Sequence, residues 1–69
     1  MTKYKYQMKV YEHKSAIRPA ETKEGSIELP SRPMIGEEIE VGRNWEKIEA
    51  IRHSPEGMTL VLKDKYLKP

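Results

Sequence analysis

Apolar and polar residues alternate almost strictly over residues 3–11. Tyr4, Tyr6, Met8 and Val10 fall on one face, and Lys3, Lys5, Gln7, Lys9 and Tyr11 fall on the other. A period of two, with aromatic and branched residues on one side, specifies a strand buried on one face only. The alternation then stops. Residues 12–24 contain a proline, several charges and only Ala16, Ile17 and Ala20 as apolar positions, which predicts a long loop with at most one helical turn near Pro19–Lys23. Connections of this length in a small domain are usually functional or mobile.

Short apolar runs separated by turn residues resume after Gly25. Ile27 and Leu29 mark a strand over 26–30 that Pro30 terminates, and Pro33 stiffens the connection to the next strand. Ile39 and Val41 point inward from a strand over 37–42, with Glu38 and Glu40 outward. Gly42-Arg43-Asn44 reads as a tight hairpin connection, because Gly and Asn tolerate the backbone angles such turns need. Leu60 and Leu62 define a strand over 58–63, introduced by Ser54-Pro55-Glu56-Gly57, a type I turn signature. Tyr66 and Leu67, in the polar tail, are placed to fold back over one end.

Residues 45–53, W-E-K-I-E-A-I-R-H, admit two readings. Trp45, Ile48 and Ile51 are spaced by three, as on a helix face, and Asn44 can cap such a helix. Alternatively the segment is a strand with one bulged residue between Ile48 and Ile51, which brings Ile48, Ile51 and His53 to the same side. The strand is preferred, because the segment is short and lies between two tight turns. Trp45 is then assigned mainly to the core, which has no phenylalanine to fill it.

Five short strands with one long loop after the first predict an all-β chain, a small five-stranded barrel of the SH3-like kind. Sixty-nine residues fit a single domain, and a chain of this size buries only about 60% of its unfolded surface. There is no cysteine, so neither a disulfide nor a thiolate metal site is expected, and a reducing, cytoplasmic setting fits. No apolar run is long enough to span a bilayer, and no apolar stretch follows the first lysines as it does in a secretory signal. Neither a membrane partner nor a cofactor is expected.

Charge changes the picture through its distribution. The net charge is +2, but residues 1–24 carry six basic and three acidic groups, residues 25–57 four and seven, and residues 58–69 three and one. Basic ends flank an acidic middle. Nucleic-acid binders usually hold a clearer excess of cations.

The run Leu29–Val41, L-P-S-R-P-M-I-G-E-E-I-E-V, with Trp45, Ile48, Ile51 and His53 after it, resembles a group of short bacterial and phage-encoded proteins. In that group a Leu-Pro strand end, a Pro-x-x-Gly turn and a Trp-x-x-Ile-x-x-Ile-x-His strand build a small barrel. The resemblance covers residues 27–62. It implies the barrel and the bulged strand and carries no activity with it.

Chemistry has few candidates. His53 has the right ionisation range for a general base, but no partner is identifiable, and a hydrolase-type site there is the weakest reading. His13 sits at a loop start, too far along the chain from His53 for metal-ligand spacing. Glu37, Glu38 and Glu40 form an acidic cluster best read as a solvated strand face, with Lys47 and Arg52 as cross-strand partners. The outward face of the first strand is the better lead. Lys3, Lys5 and Lys9 with Tyr11, joined by Arg18 and Lys23 of the loop, combine cations and an aromatic as single-strand nucleic-acid binders do; an edge guarded by lysines has the same pattern. Trp45, with Tyr4 or Tyr6, is a binding candidate of another kind, since SH3-like barrels use such rings to hold a Pro-rich peptide, with core filling the simpler reading. Pro30 and Pro33 make a P-x-x-P unit, read more simply as a stiff connection. The preferred reading is a non-enzymatic binding module that engages a protein partner or a second copy through a strand edge. Single-stranded nucleic acid is the alternative.

Overall fold

The computed structural model describes residues 1–68. It is all-β, with β1 Thr2–Tyr11, β2 Glu21–Leu29, β3 Glu38–Val41, β4 Asn44–Ser54, β5 Gly57–Leu62 and β6 Lys65–Tyr66. These form one curled sheet in the order β2-β1-β5-β4-β3, with β6 also on β1. All neighbours are antiparallel except β1, which pairs in parallel with β5 and β6. The curl stops at a half-barrel: β2 and β3 are the two ends of the sheet order and do not pair with each other.

Alternation in β1 works as the pattern requires. Met8 and Val10 are buried, Tyr4 and Tyr6 half-buried, and Lys3, Lys5 and Lys9 exposed. Tyr6 lies opposite Leu60, and Leu60 opposite Ile51. The core is Met8, Val10, Ile39, Ile48, Leu60 and Leu62, with Ile27, Leu29, Val41 and Ile51 packed around it. Pro33 is buried too, so the connection after β2 contributes to the interior.

The turns follow from their residues. The backbone N–H of Glu37 donates to the carbonyl of Met34, and Gly36 between them has φ +96°, the angle a type II turn demands at that position. The Glu37 carboxylate accepts from the Met34 N–H at 2.6 Å, closing the same turn. Ile48 then clamps it: its N–H donates to Glu37 O and its carbonyl accepts from Gly36 N–H, both at 2.9 Å. Val41 pairs with Asn44, so the β3–β4 loop is the dipeptide Gly42-Arg43. A positive φ falls at Gly42 alone, as in the type II′ hairpins whose twist suits two strands.

Four expectations need correction. The sheet has six strands rather than five, because the chain beyond β5 continues along β1: Gln7 faces Val61, Val10 faces Lys65, and the register slips by one residue between. The loop assigned to 12–24 ends sooner, and no helical turn forms near Pro19–Lys23. The Ala20 N–H donates to Val10 O, and the β1 ladder carries on through Glu21–Glu24. These residues look loop-like because both of their faces can stay wet at a sheet edge, where polar residues cost little. The expected barrel is only half formed: the sheet curls but stays open between β2 and β3. Finally, Trp45 is not in the core, although the preferred reading of 45–53 holds: it is a strand, with its bulge between Ile48 and Ala50. One bulge brings Ile48 and Ile51 into phase; Trp45 would need a second, so it points outward and is 64% exposed instead of filling the core.

Gly25 sits opposite Tyr6, and a Cβ there would lie 2.6 Å from the Tyr6 hydroxyl oxygen and 2.8 and 2.9 Å from two of its ring carbons. The ring covers the glycine, a packing device that recovers what a glycine loses in a strand. Gly25→Ala is therefore expected to displace Tyr6 and lower unfolding free energy by about 1–3 kcal/mol. In a Tyr6→Ala background the same change should cost under about 0.5 kcal/mol, a non-additivity that urea titration of the four variants would read. Leu60→Ala should cost about 2–5 kcal/mol, a large share of the roughly 3–10 kcal/mol available to a chain this size, and circular dichroism would show a much lower melting temperature.

Candidate functional site

Strand alternation divides the candidate residues between two faces. The inner face carries the core and, at its margin, His53 opposite Met58. His53 is exposed and among the described residues has no hydrogen-bonded side-chain partner. His13 lies in the loop after β1, joined through Nδ1 to Ser15 Oγ at 2.9 Å. The two histidines are not brought together. Among the described residues no group of three or more His, Asp or Glu is placed to hold a metal ion.

The outer face carries the lysines of β1, and β2 sets their surroundings. Lys3 is opposite Glu28, Lys5 opposite Ser26, Gln7 opposite Glu24 and Lys9 opposite Thr22. On the other side Lys5 meets Thr59, with Arg52 beyond it on β4. Lys5, Gln7, Glu24, Ser26 and Thr59 line a shallow polar groove of about 440 Å³. Lys3 therefore faces a carboxylate, while Lys5 and Lys9 face hydroxyls. Arg18 is exposed in the loop, away from the strand register, beside Ile17, which is 93% exposed. The acidic residues of β3 sit at the far edge, Glu38 opposite Lys47 and Glu40 opposite Trp45. Arg52 lies opposite Thr59 and is not their partner.

Two features go beyond the sequence reading, which folds Tyr66 and Leu67 back over one end without naming what they meet. Tyr66 stacks on Tyr11, with ring centroids 5.3 Å apart and planes 25° from parallel, and the Leu67 N–H donates to Tyr11 O. Tyr11 is thereby half-buried rather than free. The short alternation Lys65-Tyr66 was the available signal, but it says nothing of which strand β6 joins. Beside it, Lys65 Nζ donates to Glu46 Oε2 at 3.3 Å, an ion pair on the inner face that links β6 to β4. The second feature is an apolar groove of about 530 Å³ formed by Arg32, Pro33, Met34, Ile35 and Ile51. Met34 and Ile35 are both more than 60% exposed there.

No helix among the described residues is long and apolar enough to cross a membrane. The exposure of Trp45 has a direct check: Trp45→Ala should change unfolding free energy by less than about 0.5 kcal/mol, and acrylamide should quench native and unfolded protein to a similar degree. Comparison with family models, with curated proteins and with solved structures returned no match for this chain.

Proposed function

We propose that the protein is a non-enzymatic binding module that takes up an extended segment, from a protein partner or a second copy, along the edge of β2. The observation that carries this reading is the open sheet. β2 is nine residues long and pairs on one side only, so its other side offers alternate backbone donors and acceptors. Addition of a strand to such an edge derives affinity from main-chain hydrogen bonds and specificity from side-chain pockets. Glu21, Lys23, Glu24 and Glu28 along β2 favour a segment with complementary charge over indiscriminate pairing. The SH3-like description belongs to the same proposal, supported by tight hairpins after β3 and β4; the parallel contact of β1 with β5 is where this sheet departs from a simple meander. The kinship with small bacterial and phage barrels rests on the Leu29–Val41 run and the strand after it, and the cytoplasmic setting on the absence of cysteine.

The reading predicts that the edge amides of β2, those pointing away from β1, exchange quickly in the dilute protein and become protected on association. Light scattering over a concentration series, read alongside hydrogen exchange, tests it for the second copy. A mass that rises with concentration should bring protection to these amides and leave those of β3 unchanged. Association that protects other amides, or a strict monomer whose β2 amides stay unprotected with every candidate peptide, would count against it.

A further inference from the structure

The inner-face ion pair fixes where three outward aromatics lie. Glu46 and Lys65 meet on the inner side of the sheet. Their chain neighbours Trp45 and Tyr66 alternate to the opposite side, so both belong to the outer face at the same end of the molecule. Tyr66 stacks on Tyr11. Trp45, Tyr66 and Tyr11 thus share one end of the outer face, with Trp45 64% and Tyr66 43% exposed. Behind them, one step of the alternation away, come lysines. Lys47 is two residues from Trp45, and Lys9 is two residues from Tyr11, a displacement of about 6.6 Å along a strand. Lys63 stands between, its N–H donating to Lys47 O at 2.8 Å, while its neighbour Leu62 points into the core. Lys47 and Lys63 line a common groove of about 300 Å³.

We infer that this end of the outer face is a platform for single-stranded nucleic acid, with bases laid on Tyr66 and Trp45 and phosphates tracking Lys9, Lys63 and Lys47. Rings exposed on a sheet face bind bases through their π surfaces, and cations about one nucleotide step away neutralise the backbone. The β-sheet supplies both rows without further folding, so little order is lost on binding. Glu38, opposite Lys47, and Glu49, in the same groove as Lys63, bound the lysine row on the β3 side. They direct the strand toward β1 rather than across β3. The surface differs from the one read in the sequence: Tyr11 is covered by Tyr66, Lys3 faces Glu28, and Arg18 lies in a loop outside the register.

Trp45 is the only tryptophan, so its emission reports stacking directly. Titration with a twelve-residue oligodeoxythymidylate should quench it saturably. Contacts to three phosphates predict a log–log salt slope of about −2, or an affinity about twentyfold weaker at 200 mM than at 50 mM salt. Lys47→Gln with Lys63→Gln, both at exposed positions, should reduce that slope to about −0.7. Tyr66→Ala should weaken binding at every salt concentration. Lys3→Gln should leave affinity unchanged. No quenching, quenching independent of salt, or a loss from Lys3→Gln equal to that of the double variant would overturn the platform. So would emission that follows protein concentration alone, which would make this face an interface between copies. The outcome is independent of the β2 edge, which the oligonucleotide does not need.

Discussion

Everything in this molecule depends on the parallel contact between Lys5–Gln7 and Thr59–Val61. β1 with β2 is one hairpin, and β3, β4 and β5 form a meander; this contact and its extension through β6 join them into one sheet. Its centre is Leu60, fully buried between Tyr6 on one side and Ile51 on the other. A two-stranded hairpin is marginal at best in water by itself, so the packing of Met8 and Val10 with Leu60 and Leu62 in one core is what the β1–β2 hairpin gains from the meander. Such pairing closes a long stretch of chain before it is rewarded, which makes slow folding the expected regime.

The same contact decides how far the sheet curls. With β5 beside β1, the meander folds over one face, and Ile39, Val41 and the buried Pro33 cover the core from the far side. The interior is then filled before β3 reaches β2, and both edges stay unpaired. An open edge is a hazard as well as an opportunity. Here β2 is long but carries four charged residues, and β3 has only four residues, two of them glutamates. Short length and charge of this kind limit indiscriminate pairing at an edge.

In the reading proposed above, function is a matter of surfaces. The inner face is consumed by the core. The edge of β2 and the outer face remain, and they suit different partners: the edge presents backbone polar groups, the outer face rings and cations. The ion pair between Lys65 and Glu46 bears on the outer face, because it ties the last strand to β4 near where Tyr66 stands. It is half-exposed on the lysine side, so its value lies in position more than in stability.

Much of this was legible along the chain. The alternation of β1 names its buried residues. The turns at Gly36 and Gly42 and at Pro55 follow from what Gly and Pro permit, and the bulge after Ile48 follows from a phase that neither a regular strand nor a short helix satisfies. These are local matters, set by backbone sterics and by a period of two, and they need no partner to be read. Whether Trp45 is in or out, where β2 begins, which strand β6 joins, and that Tyr11 is capped by Tyr66 are all questions of register. Register is decided by pairing between residues distant in the chain, where a slip of one residue exchanges the two faces. Glu21–Glu24 carry no apolar signal of their own and Lys65-Tyr66 too short a one to name a partner, so only the ladder of hydrogen bonds to β1 makes them strands. The six apolar residues of the core were therefore legible in the sequence itself, whereas the exclusion of Trp45 from it and the make-up of the exposed surfaces were decided by the tertiary structure.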